Sequence, residues 1–204
     1  MVTNQPDEVS AKRVHASTAA RRREIVQSAL ELFLADGYYG TSLRAIARRI
    51  GMTHAGLLHH FDSKDELLVE VLHRWDLDTR SWFESQPPVR SLDDLVDRCV
   101  ALIDRHRDEP ALIRLLLTLS SSASDPRHPL SSHFRQRSRS ARAFMRGFLA
   151  PLQERGQIPA DVDLDQAAAW MVAGLDGLQL QWLNDALFPA ADAMDAMLRR
   201  LLEP

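Results

Sequence analysis

The chain contains a single cysteine, Cys99, among 204 residues. One thiol excludes an internal disulfide framework and cannot by itself build a thiolate metal cage. A reducing, cytoplasmic setting follows as the expectation. Glycine is sparse, at eight residues, and aromatic side chains make up 6% of the chain. Valine and isoleucine are few beside leucine and alanine, a balance that favours helix over strand. No apolar run approaches the ~18 residues a membrane span needs. The opening stretch MVTNQPDEVSAKRV has no apolar centre of the kind a secretory signal carries. A phosphate loop, a GxSxG nucleophile turn and a paired-carboxylate motif are also missing. These absences argue against an enzyme and give no reason to expect a cofactor.

What is present is the composition of an ordinary globular protein, 45% hydrophobic and 26% charged, long enough for one or two domains with a sizeable core. The formal net charge of −3 hides an asymmetry. Residues 1–64 carry nine Lys/Arg against six Asp/Glu, a surplus of +3, and the remainder carries 16 against 22, a balance of −6. A mildly basic head on an acidic body makes a polyanion one candidate partner for the head.

Residues 1–17 are polar and patternless and read as a disordered arm. From Thr18 the pattern is helical, with Ile25, Ala29, Leu32 and Phe33 on one face and Gly37 as a left-handed stop. TSLRAIARRIG reads as a second, short helix capped by Thr41 or Ser42 and closed by Gly51. Thr53 caps a third, and Ser63 with Glu66 forms a capping box for a longer fourth. Pro87–Pro88 break the chain. Five further helices follow: one carrying Leu92, Leu95, Val96, Cys99, Leu102, Ile103 and His106 on one stripe, one starting at Pro110, a long one over about 130–155, one capped by Asp163, and a last one after Pro189. The expected fold is all-α, with nine helices and no strand.

At about 100° per residue, Leu43, Ile46, Ala47 and Ile50 fall on one side of the second helix, and Arg44, Ala45, Arg48 and Arg49 on the other. In the third helix Leu57, Leu58 and Phe61 are read as inward, and Ala55, Gly56, His59 and His60 as outward. Two short helices joined by GMT, with Ala47 small at the crossing and Gly51 in the turn, match a helix-turn-helix. Its third helix would face the DNA major groove. Ala55 and Gly56 remove bulk, so that the backbone can approach base edges. Thr53, His54 and His59 can donate to bases or phosphates, Arg44 and Arg48 can hold phosphate, and Lys64 beside the helix start at Ser63 offers a second phosphate grip. Thr41 and His60 complete the candidate DNA-binding set.

The run TSLRAIARRIGMTHAGLLHHFDSKDELL, residues 41–68, resembles the DNA-binding signature of the tetracycline-repressor (TetR) family. The likeness covers about residues 20–72 and rests on Gly37, the spacing of Thr41, Ile46–Ala47 and Gly51, the pair His60–Phe61, and Lys64 with Leu67. Two positions depart from it: Leu58 stands where the family commonly has a phenol, and Gly56 where it has a small hydroxyl or methyl residue. The resemblance implies a ligand-responsive transcriptional regulator, a repressor, with a head over 18–64 and an effector-binding and dimerisation domain over 65–204. It also implies a homodimer on a pseudo-palindromic double-stranded operator, released by a small-molecule effector, with the last two helices pairing with the partner copy. On that reading Ala167, Met171, Gly174 and Leu178 form a small-residue stripe for the dimer, joined by Met194, Met197, Leu198 and Leu201. The effector pocket is assigned to Trp82, Leu102, His106, Leu116, Phe144, Phe148, Trp170, Asp176 and Gln179.

Other readings of the same residues are plainer. His54, His59 and His60 are spaced five and one apart, whereas a helical zinc pair prefers three or four, so no metal site is expected. DVDLDQ at 161–166 starts like a calcium loop but has Gln166 where glycine is required, and helix capping suits it better. RQRSRSAR at 135–142 reads as the basic flank of an amphipathic helix, or as a place where one arginine turns inward to an acidic ligand group. Cys99 and His106 are two turns apart, too far for a nucleophile pair. A rival reading of the whole chain is a helical protein-interaction module without specific DNA binding.

Overall fold

The computed structural model of the chain describes residues 7–203, with side chains from Thr18 onward. Among the described residues there are nine helices and no strand: α1 Asp7–Gly40, α2 Leu43–Arg49, α3 His54–Leu58, α4 Lys64–Ser85, α5 Leu92–Arg107, α6 Pro110–Ser122, α7 Ser131–Glu154, α8 Leu164–Asn184 and α9 Ala190–Leu202. The disordered arm expected over 1–17 is helical from Asp7 on, and its first six residues lie outside the described residues. The chain divides into two compact units, 1–76 and 77–204. The first unit therefore extends twelve residues past the expected boundary at 64. The reason is that Leu67, Leu68, Val71 and Leu72, in the first half of α4, are buried like the residues of α1 to α3.

In the first unit, Ile25, Ala29 and Phe33 of α1 are fully buried, as the 3.6-residue period requires. Gly37 breaks α1 with φ 74°, a left-handed value that costs glycine nothing. The turn returns Tyr38 to the core beside Phe33, with ring centres 5.5 Å apart. Ile46, Leu57 and Phe61 fill the space between the short helices, each with under 2% exposure.

In the second unit, the core is made by α5, α7, α8 and α9, with Phe83 from the end of α4. Ser91 and Asp94 form a reciprocal capping box at the start of α5. Asp163 caps α8 by accepting from the N–H groups of Asp165 and Gln166 at 2.9 and 3.1 Å, so the calcium-like DVDLDQ run is a helix start. Phe83, Phe144 and Phe148 pack edge to face, with centroids 5.1–5.5 Å apart. Arginines stack over this group and its neighbour: Arg80 over Phe144 at 4.6 Å, Arg98 over Phe83 at 5.2 Å and Arg105 over Trp82 at 5.4 Å. Arg98 is buried and, among the described residues, forms no salt bridge; it donates instead to the carbonyl oxygens of Phe83 and Pro87. It thereby satisfies backbone acceptors where α4 ends.

The dimer stripe proposed from the small residues of α8 is corrected here. Ala167, Met171, Met194 and Leu198 are buried within their own chain, at 0–3% exposure. A Cβ added at Gly174 would collide with the Met197 sulfur, so this glycine serves the contact between α8 and α9. Leu178, Met197 and Leu201 are half-buried against the same core. The exposed stripe of α8 is the one about 100° round the helix, Trp170, Ala173, Gly177 and Leu180, at helical spacings of three and four.

Candidate nucleic-acid interface

The helix-turn-helix is built by local bonds that the residue types dictate. Ser42, not Thr41, caps α2, its hydroxyl accepting from the Ala45 N–H at 3.2 Å. Thr41 is 3% exposed and donates inward to the carbonyl oxygens of Leu32 and Gly37, so it leaves the set of DNA contacts. Gly51 adopts φ 66° and turns the chain. The Met52 N–H then bonds the Ala47 carbonyl at 2.8 Å. Thr53 caps α3 by accepting from the Gly56 N–H at 3.0 Å. A Cβ added at Gly56 would sit 3.1 Å from the Thr53 hydroxyl, so the glycine both trims the surface and keeps the cap closed.

The faces sort largely as the periodicity predicts. Arg44, Arg48, Thr53, Ala55 and His59 are exposed, while His54, Gly56 and His60 are half-exposed. Leu58 is a correction: at 36% exposure it belongs to the outer surface, because α3 ends there and only Leu57 and Phe61 turn inward. Among the described residues Arg44 and Arg48 have no ion-pair partner, whereas Arg49 is bonded to Glu31 at 2.6 Å. That bond holds the Glu31 carboxyl below the usual carboxylate range.

Lys64 is also corrected. Its ammonium donates to the carbonyl oxygens of Tyr38 and Thr41, at 2.9 and 3.0 Å, and lies 4.2 Å from the centre of the Tyr38 ring. It ties the start of α4 to the turn after α1 and is not presented as a phosphate grip. Tyr38 donates its hydroxyl to Asp65, and burial together with that carboxylate raises its pKa well above the ordinary phenol value. Arg22 was not singled out by sequence reasoning: it lies 4.0 Å over the Phe61 ring and donates to the His60 carbonyl. Within the run Arg21–Arg22–Arg23 nothing local distinguishes the one that turns inward. Among the described residues no cluster of three or more His, Cys, Asp or Glu is arranged to hold a metal.

In the second unit the residues assigned to an effector pocket separate. Leu102 and Leu116 are buried, and Trp82, Phe144 and Phe148 surround Phe83. His106 and Gln179 are buried and hydrogen-bonded to each other through His106 Nδ1 and Gln179 Nε2. Trp170, at 51% exposure, lies on the surface of α8 and is withdrawn from the pocket; Asp176 is exposed as a residue, yet burial around its carboxyl raises its pKa. Cys99 is buried, which pushes its thiol up to about 12 and leaves it unreactive.

Comparison with known proteins agrees with this geometry. Residues 25–71 match the family described as bacterial regulatory proteins, tetR family, and residues 90–203 match the C-terminal domain of BetI-type transcriptional repressors. The HTH-type transcriptional repressor KstR2 of Rhodococcus jostii is 30% identical over 110 residues, 54% of this chain and 46% of that protein. The HTH-type transcriptional regulator RutR of Escherichia coli is 28% identical over 103 residues, 48% of this chain and 47% of its own length. The match thus spans about half the length of these curated relatives. Salmonella enterica GusR superposes with a TM-score of 0.73 at 24% identity, over 89% of this chain and 94% of that one. A SmeT–triclosan complex superposes at 0.74 with 20% identity, over 91% and 92%. Structures this distant in sequence share the fold. With both units matched, and more than half of the chain in the second match alone, the protein belongs to the TetR family of bacterial transcriptional regulators.

Proposed function

We propose that the protein is a ligand-responsive repressor that binds a pseudo-palindromic operator as a homodimer and is released by a small-molecule effector. The observation that carries the reading is the outer face of α2 and α3. Two arginines without ion-pair partners among the described residues, Arg44 and Arg48, stand on α2, and α3 offers Thr53, Ala55 and His59. The contact set is Arg44, Arg48, Thr53, His54, Ala55, Gly56, His59 and His60. The arginines hold phosphate, and the small residues of α3 let the backbone approach the groove.

One head reads one half-site, and two-fold symmetry places the second about one helical turn, or a multiple of it, away. The exposed apolar stripe of α8 supports a dimer through Trp170, Ala173, Gly177 and Leu180. The effector site is proposed at Trp82, Leu102, His106, Leu116, Phe144, Phe148 and Gln179; Trp82, Leu102, Phe144 and Phe148 share one apolar cluster, and His106 and Gln179 supply a hydrogen-bonded polar pair. That a neighbour of the same fold is described in complex with triclosan supports small-molecule binding here. Residues of α4 belong to both compact units, so an effector that prefers one arrangement of that helix would change DNA affinity by its differential binding energy, roughly 1–3 kcal/mol.

The test is the salt dependence of binding. A phosphate-holding head gives an affinity that falls steeply with salt, with a slope of about −0.9 per neutralised phosphate. An interaction module gives weak association that salt barely moves.

A further inference from the structure

Where α6 ends and α7 begins, the second unit has an open cleft of about 390 Å³. We propose that this cleft binds a phosphate-bearing ligand, through a phosphomonoester or pyrophosphate group. The reading does not depend on the operator or on the aromatic effector site.

The charges are the first observation. Arg135, Arg139 and Arg142 line the cleft, and no lining residue is acidic. They stand at i, i+4 and i+7, so their guanidinium stems are neighbours on one helix face. Like charges at that spacing repel and destabilise a helix unless something neutralises them. Arg146, one turn beyond, has such a partner in Asp165 at 2.9 Å. Among the described residues Arg135 and Arg139 have none. Arg142 donates to the Ser138 hydroxyl at 2.7 Å, which points that serine and its arginine at the same space.

The hydroxyls are the second observation. Ser120 and Ser124 come from the α6 side, and Ser131 and Ser138 from α7. Ser131 is 5% exposed as a residue, and its hydroxyl is not one of the buried side-chain atoms left without a partner, so the oxygen keeps access to the cleft it lines. A hydroxyl open to a cleft can donate to a ligand oxygen there. Ser131 is also the first residue of α7, a 24-residue helix whose start has no side-chain cap. The uncapped N–H groups and the helix dipole both favour an anion at that end.

The combination selects phosphate. A carboxylate brings one charge and two oxygens. Three arginines and four hydroxyls match a group with two or more charges and three or more acceptor oxygens, which guanidinium forks bind in pairs. Ala123 and Phe134 give the cleft an apolar wall for the organic part of such a ligand.

Calorimetric titration of the full-length protein with inorganic pyrophosphate, at about 0.15 M salt where loose surface attraction is screened, tests the proposal. Saturable one-site binding is expected, at least about tenfold weaker in Arg139→Gln and in Arg135→Gln, and unchanged in Arg114→Gln, which removes the same charge outside the cleft. Ser131→Ala should weaken binding while circular dichroism stays the same. An absence of saturable binding, equal loss in Arg114→Gln, or acetate binding as tightly as pyrophosphate would each overturn it.

Discussion

Lys64 holds Tyr38 from two sides: its ammonium lies over the π face of the ring, 4.2 Å from its centre, and donates to the same residue's carbonyl oxygen at 2.9 Å. With its bond to the Thr41 carbonyl, the cation is committed to the frame of the head. Lys64→Met should therefore lower the stability of the protein by about 1–3 kcal/mol, the usual worth of hydrogen bonds to a charged group. Measured in urea, that loss should appear without a change in the salt slope of DNA binding by the folded fraction. A slope reduced by about one with stability unchanged would return Lys64 to the phosphate contacts.

Arg44 and Arg48 make the opposite prediction. Each is exposed and, among the described residues, without an ion-pair partner. Alanine at either position should leave the unfolding midpoint in place, since surface changes away from specific contacts fall within about 0.5 kcal/mol. It should also weaken binding to any DNA sequence and reduce the salt slope by about one. Arg49, bonded to Glu31, should matter less.

The two faces of α8 separate assembly from folding. Trp170→Glu or Leu180→Glu on the exposed stripe should yield a folded monomer by sedimentation. Met171→Ala, in the core at 3% exposure, should cost about 2–5 kcal/mol of stability. Exchange of these two phenotypes would return the dimer surface to the Met171 face.

His106 gives a pH dependence. Burial, helped by Arg105 and Arg137, lowers its pKa to about 4 from the ordinary 6.5. The folded state therefore keeps the ring neutral where the unfolded chain binds a proton. The stability from this group is fully present above pH 6.5 and is lost as pH falls toward 4, by about 3 kcal/mol at most. Unfolding in urea at a series of pH values should show the slope, and His106→Leu should flatten it. A slope unchanged in that variant would assign the dependence to other groups.

Much of this architecture is legible in the sequence because it rests on local rules. The buried positions Ile25, Ala29 and Phe33 follow helical spacing, and Ser42, Thr53 and Asp163 are caps that need only their own turn. What the sequence hides are choices between equivalent options. α8 has apolar residues on two faces, and the period alone does not say whether Met171 or Trp170 turns inward. Packing decides it: Met171 is buried in the chain's own core while Trp170 is exposed, and the contacts responsible are made between separate helices. Thr41 and Lys64 look like surface donors because polar side chains usually are. Their acceptors are backbone carbonyls brought close by the break at Gly37, and no spacing rule lists them. Leu58 reads as core from its wheel position because α3 seems to run on, while the helix ends at that residue.

The most direct test of the central claim is selection of bound sequences from a random pool of double-stranded DNA by the purified full-length protein. The account predicts a pseudo-palindromic consensus with half-sites about one helical turn apart, or a multiple of it, and its loss in the Arg44→Ala, His59→Ala double variant while dimerisation persists. No enrichment from a folded, dimeric sample, or a consensus that the double variant recovers unchanged, would contradict it.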